Sequence, residues 1–120
     1  MVFDDKDPNF NYSPGWQDVL NQKAYSSSYK QTNQNGSFAT FTFTGSSFSI
    51  LYRSGPSYRK IDIYVDGLLV GTINERGRNS KKRWDYPGQL TAGSHTLKLV
   101  FVTTTTSTNT SGTVDALIIR

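Results

Sequence analysis

Lys60-Ile61-Asp62-Ile63-Tyr64-Val65-Asp66-Gly67-Leu68-Leu69-Val70-Gly71-Thr72-Ile73 is the stretch that decides the fold of this 120-residue chain. Asp66-Gly67 supplies the positive φ angles that a two-residue hairpin turn requires, and apolar residues alternate on the strand before it. Pairing across the turn sets Val65 against Leu68, Ile63 against Val70 and Ile61 against Thr72. In that register Ile61, Ile63, Val65, Leu68 and Val70 share one face, while Lys60, Asp62, Tyr64 and Leu69 take the other. The pattern predicts an antiparallel hairpin with a core side and a solvent side.

The same alternation extends in both directions. Ala39, Phe41 and Phe43 share one face of the stretch 38–44, with threonines opposite, and Phe48, Ile50 and Tyr52 share one side of the next strand. His95 to Val102 and Thr113 to Arg120 read as two further strands, the last well buried. Val2-Phe3, Phe10-Asn11-Tyr12 and the region of Tyr29 suggest short ones, Gln17 to Ala24 is the one stretch open to a helix, and 74–89 reads as a long connection. Composition agrees: eight Asp but one Glu, and 28 Ser plus Thr, deplete helix formers and enrich strand and turn residues. About eight strands without a helical crossover predict an all-β antiparallel sandwich, one domain over 1–120.

Composition also excludes. With no cysteine there is no disulfide scaffold or thiolate chemistry. No apolar run approaches the ~18–20 residues of a membrane span, and the start lacks the pattern of a secretory signal, so the chain reads as soluble without a membrane partner. A glycosidase needs two carboxylates about 5–10 Å apart, whereas Asp62 and Asp66 would lie about 13 Å apart along a strand, so the chain reads as noncatalytic. His95, the sole histidine, reads as a strand-entry residue satisfied by main chain.

The segments Ala39 to Gly45, Gly55-Pro56, Ile63 to Gly67, Ala92 to Leu97 and Val114 to Ala116, in their order and spacing, resemble a family of bacterial β-sandwich accessory modules. These are related to the galactose-binding-like jelly rolls and carbohydrate-binding modules found beside catalytic domains in large secreted proteins. The match runs from about Tyr12 to Arg120. It implies a jelly roll, an extracellular or cell-surface setting, and neighbouring domains in a parent protein. It also implies a structural Ca²⁺ held by carboxylates of the first and last strands, where Asp4, Asp5, Asp7 and Asp115 fall. Asp115 stands out, because an inward carboxylate must find a cation or donors.

Two segments carry binding chemistry. Arg76 to Tyr86 places five of the thirteen cations beside Trp84 and Tyr86, and Tyr52 to Arg59 repeats that mixture. A sugar presents a C–H face and a fringe of hydroxyls, which aromatic platforms flanked by Asp, Asn and Arg can meet together. The expected carbohydrate site is therefore Arg53, Tyr58, Arg59, Trp84, Asp85 and Tyr86, forming a groove for a neutral or anionic glycan if the two loops share one end of the sandwich. Trp84 equally suits a core position beneath its loop, and Tyr52 and Trp16 read as structural. Single-stranded nucleic acid is the lesser reading of the basic segment, since no nucleic-acid motif accompanies it. The alternative to glycan binding is a structural or self-associating adhesive module, with the run Thr103–Thr106 as an exposed edge or linker.

Overall fold

The computed structural model describes residues 1–103 and 110–120, and the expected edge at Thr104 to Thr106 lies outside the described residues. Among the described residues twelve strands stand where about eight were expected, because Trp16–Leu20 and Ser80–Asp85 are strands as well and the expected last strand divides at Asp115 into two. In chain order they are β1 (Val2–Asp4), β2 (Phe10–Tyr12), β3 (Trp16–Leu20), β4 (Ser28–Thr32), β5 (Phe38–Thr44) and β6 (Phe48–Ser54). They continue as β7 (Lys60–Val65), β8 (Leu68–Asn74), β9 (Ser80–Asp85), β10 (Ser94–Val102), β11 (Gly112–Val114) and β12 (Ala116–Ile119). Three sheets result, in the orders β1-β12-β6-β9, β2-β5-β10-β7-β8 and β11-β4-β3. Pairing between the named strands is antiparallel throughout.

The two larger sheets face each other across an apolar core. Phe41 and Phe43 of β5, Ile61 and Ile63 of β7, and Leu97, Leu99 and Phe101 of β10 meet Phe48 and Ile50 of β6 and Leu117 of β12. The alternation in β5, β7 and β10 makes this possible, because every second side chain reaches one face of a pleated strand. No helix is long and apolar enough to cross a membrane among the described residues.

Three local expectations are corrected. Gln17 to Leu20 belong to β3 rather than a helix, because pairing with β4 from Trp16–Thr32 to Leu20–Ser28 supplies their main-chain partners. The expected connection at 74–89 contains β9, an edge strand paired with β6. An edge strand tolerates Lys81, Lys82 and Arg83 in succession, which hid its periodicity. The hairpin itself forms, with Asp66 and Gly67 at φ 51° and 84°. Its register slips between Ile63 and Tyr64, however, so Ile63 faces Gly71 and Ile61 faces Ile73. Ile73 consequently takes a core position, while Leu68, still paired with Val65 as expected, is 72 % exposed at the hairpin tip, and Leu69 faces solvent as expected. The bulge brings glycine rather than Val70 beneath the Trp84 indole, where a Cβ on Gly71 would stand 2.6 Å from the ring.

Trp84 is therefore a closing piece of the core, half-buried against Phe48 at 6.0 Å between ring centroids. Trp84→Ala is expected to destabilise the fold by about 2–3 kcal/mol, somewhat less than a fully buried aromatic truncation. A lower urea midpoint with unchanged slope checks it.

His95 also differs from expectation, since a carboxylate as well as a main-chain carbonyl holds it. Its Nε2 meets the Thr91 carbonyl at 2.7 Å and its Nδ1 meets Asp66 at 2.6 Å, while the other Asp66 oxygen accepts the Thr96 N–H at 2.8 Å. The Asp66 hydrogen bond, then the Thr91 carbonyl, raises the imidazole pKa above its ordinary value. The stabilisation is thus full below the unfolded histidine's pKa and is lost as pH rises through the higher folded one. Proton NMR of this sole histidine should titrate above 6.5 and fall toward that value in Asp66→Asn. A wild-type value at or below 6.5 would contradict the pairing.

Candidate functional site

Where β6 ends, Gly55 turns the chain, and a polar cleft of 310 Å³ opens beside it. Arg53 and Ser54 enter the cleft from the end of β6, Tyr58 from the following turn and Tyr29 from β4. Asn21, Lys23 and Asn79 complete its wall. The lack of a side chain at Gly55 builds this corner: a Cβ there would lie 3.0 Å from Asn79 Oδ1 and 3.1 Å from the Tyr58 ring. Ser54 Oγ donates to the Arg78 carbonyl at 2.6 Å, and the Gly77 N–H donates to the Gly55 carbonyl at 3.1 Å, fastening the 76–79 turn to β6.

The two sequence segments thus meet, but through Tyr58 and Asn79 rather than through their tryptophan and second tyrosine. Tyr58 shares hydrogen bonds with Tyr29 at 3.0 Å and Gln31 at 3.3 Å. Burial first, then the Tyr29 hydroxyl, raises the Tyr58 pKa, so its phenol stays neutral. Arg53 was expected on an exposed loop and instead lies on β6, 6 % exposed, with its main-chain N–H donating to Thr113 Oγ1 at 3.0 Å.

The other expected ligand contacts lie elsewhere. Tyr86 stacks on Phe48 at 5.1 Å and Trp84 covers Gly71, so both rings serve packing because β9 brings them onto the core. The Asp85 carboxylate accepts from Ser49 Oγ at 2.5 Å and Arg83 Nε at 2.6 Å, which lower its pKa in that order. The Arg59 guanidinium turns back to the carbonyls of Tyr58 at 3.0 Å and Pro56 at 3.3 Å. Trp16 is structural, its Nε1 donating to the Phe38 carbonyl at 3.1 Å. Asn21, Lys23 and Tyr29 carried no signal in the sequence, because strand pairing between distant segments delivers them to the cleft.

Beneath the cleft lies a buried acid. Glu75 is fully buried, and Oε1 accepts the Thr113 N–H at 2.7 Å, while Oε2 has no partner. Burial pushes its pKa well above the ordinary carboxyl value, outweighing the Thr113 bonds, and so favours the neutral acid. It braces the Thr113 contact that holds Arg53.

Of the four expected carboxylates, Asp7 accepts the Asn9 N–H at 2.9 Å in an exposed turn, and Asp4, Asp5 and Asp115 are only partly assembled. Asp4 Oδ1 and Asp5 Oδ2 are buried and receive no donor. Burial, then the Asp4 carboxyl, pushes Asp5 up to about 7. Both Asp115 oxygens instead accept the Tyr25 N–H at 3.1 Å, and burial raises Asp115 to about 6. Among the described residues no three carboxylate or imidazole groups gather into a metal-binding set, because Asp115 is committed to the Tyr25 turn.

No family model matches the chain. The chain is 27 % identical over 100 residues to an A type blood N-acetyl-alpha-D-galactosamine deacetylase of Flavonifractor plautii, a match covering 82 % of the chain and 13 % of that protein. It spans between 8 and 13 % of the curated relatives it matches. Among solved structures, a family 35 carbohydrate binding module from an environmental isolate superposes with a TM-score of 0.78 at 16 % identity, covering 100 % of this chain and 92 % of that one. The CBM36-1 domain of a multidomain xylanase from the hindgut metagenome of Trinervitermes trinervoides gives 0.75 at 14 % identity, covering 100 % and 95 %. The chain is an all-β antiparallel sandwich with the jelly-roll fold of the family 35 and family 36 carbohydrate-binding modules.

Proposed function

We propose that the chain is a noncatalytic carbohydrate-binding module of a larger extracellular or cell-surface enzyme, and that saccharide occupies the cleft between Tyr58 and Asn79. The observation that carries this reading is the cleft itself. It joins two tyrosine rings to amide, hydroxyl, guanidinium and ammonium groups within 310 Å³, and none of its lining residues is a carboxylate, cysteine or histidine. Rings face the C–H surface of a sugar and the polar groups meet its hydroxyls. The relatives matched are far longer and named for chemistry on carbohydrates, which supports a module whose attachment keeps a catalytic neighbour at its substrate.

Adsorption to insoluble polysaccharides tests this. The chain is expected to bind at least one, and Tyr58→Ala or Asn79→Ala to weaken binding about tenfold with the circular dichroism spectrum unchanged. Tyr86→Ala should leave affinity alone. Loss of binding in Tyr86→Ala but not in Asn79→Ala would move the site to β9.

A Ca²⁺ ion belongs to the same proposal in reduced form, with Asp4 and Asp5 supplying the anionic oxygens that lack donors. The ion would supply charge neutralisation and rigidity at the β1 end. Without it the native state holds the Asp5 proton up to about 7 while the unfolded chain releases it near the ordinary carboxyl value, so stability falls as pH rises between them. In chelator-treated protein the melting midpoint should drop over that range, and Asp5→Asn should flatten the drop. Added Ca²⁺ should restore the midpoint at neutral pH; no change on adding it removes the ion from the proposal.

A second reading has one observation in its favour. Leu68 and Leu69 stand exposed at the β7–β8 tip on an edge strand, the kind of surface a self-associating adhesive module would use. A solution mass above that of one chain, with no polysaccharide bound, favours it.

A further inference from the structure

We infer that Thr113 and Asp115 are positioning residues of the saccharide cleft, two buried side chains that fix different walls of it from behind. The inference rests on the cleft being a saccharide site and deepens that reading, since neither residue lines the cleft itself.

The arrangement starts from alternation along one short segment. Gly112 and Val114 belong to the core side, where a Cβ on Gly112 would stand 2.5 Å from the Phe101 ring. The residues that alternate with them, Ser111, Thr113 and Asp115, are polar, yet they are 6 %, 1 % and 0 % exposed. A polar group withdrawn from water is unfavourable unless it is bonded, and an apolar residue of similar shape would avoid that cost. Each of these polar residues is bonded to a segment that carries part of the cleft.

Thr113 supplies what the sheet lacks at Arg53. β12 accompanies β6 only from Phe48 to Leu51, so on that side Arg53 has no strand partner for its main chain. The Thr113 hydroxyl takes the partner's place, accepting the Arg53 N–H at 3.0 Å and donating to the Arg53 carbonyl at 2.9 Å. The Thr113 N–H donates to Glu75 Oε1 at 2.7 Å, and the Glu75 main chain bonds Gly55 and Arg59, so the end of β6 and the Tyr58 turn share one anchor. The Ser111 main chain extends that anchor, accepting from the Arg59 N–H at 2.9 Å and donating to the Ser57 carbonyl at 3.1 Å.

Asp115 fixes the loop that brings Asn21 and Lys23 to the cleft, both of its oxygens accepting the Tyr25 N–H at 3.1 Å. This loop needs an anchor. Ser26 and Ser27 hold φ angles of 51° and 64°, conformations that persist only where surrounding contacts impose them. The Asn21 N–H donates to the Ser27 carbonyl at 2.9 Å and the Ala24 N–H to the Asn21 carbonyl at 3.0 Å, closing the loop on itself. Fixing Tyr25 therefore fixes Asn21 and Lys23 with it.

Adsorption to a polysaccharide retained by the wild-type chain tests the inference, together with amide hydrogen exchange in the free protein. Thr113→Val keeps the volume and removes the hydroxyl. It should weaken adsorption about tenfold, the scale of one hydrogen bond taken from a buried partner, whereas Thr113→Ser should bind within about twofold of wild type. Asp115→Ala should weaken adsorption comparably, and Asp115→Asn, which keeps an acceptor, should fall between it and wild type. Exchange should quicken at Arg53 in Thr113→Val and at Tyr25 in Asp115→Ala, well beyond any change at Leu99 in the core of β10. Equal quickening at Leu99 marks a general loss of stability and overturns the inference. Wild-type affinity in both Thr113→Val and Asp115→Ala, with Tyr58→Ala still weakened, overturns it while the saccharide site stands. A wild-type chain retained by no polysaccharide overturns both.

Discussion

Two β-sheets can share a dry interior only when each strand delivers an apolar side chain at every second residue, and this constraint shapes the whole molecule. Phe41 and Phe43 of β5, the paired Ile61 and Ile63 of β7, and Leu97 to Phe101 of β10 meet Phe48 and Ile50 of β6 in one continuous core. Burial of such rings is the main favourable term in folding, at roughly 25 cal/mol per Å² of apolar surface. It also draws Trp84 and Tyr86 onto Phe48, where each ring gives one side to packing.

The polar chemistry is displaced to the end of β6, where the sheet packing stops. There the constraint changes from area to donor satisfaction. Gly55 lets Tyr58 and Asn79 approach the main chain, Ser54 ties the 76–79 turn down, and Thr113 links Arg53 to Glu75. Apart from the local approach of Tyr58 to Gly55, these contacts join segments far apart in the chain, so the cleft depends on the sandwich being closed. On the proposed reading, these bonds already hold the walls of the cleft, which limits the ordering that association must otherwise impose.

The architecture was legible because β5, β7 and β10 follow period two and because Asp66-Gly67 permits one tight turn. The register of that hairpin was not, since the slip at Ile63 answers to the indole of Trp84, a contact from another sheet. β9 escaped notice because an edge strand can carry three successive cations without penalty. Of the expected glycan contacts, Arg53 and Tyr58 come together, but Arg53 does so from a buried strand position that local sequence does not reveal. Asn21, Lys23 and Tyr29 were illegible for a related reason: β4 reaches the neighbourhood of β6 through β11, and the segment after β3 follows through the pairing of β3 with β4. For the acids, Asp115 turned to the Tyr25 main chain, a partner ninety residues away.

The central claim is that ligand recognition occurs on the donor-rich cleft and not on the aromatic rings of β9. Nitrogen-resolved NMR during titration with a saccharide retained by the chain tests it most directly. The account predicts that the largest shifts fall on the Arg53 side-chain Nε–H and on the side-chain amides of Asn21 and Asn79. Shifts centred on the Trp84 indole N–H, with Arg53 Nε unmoved at saturation, would contradict it.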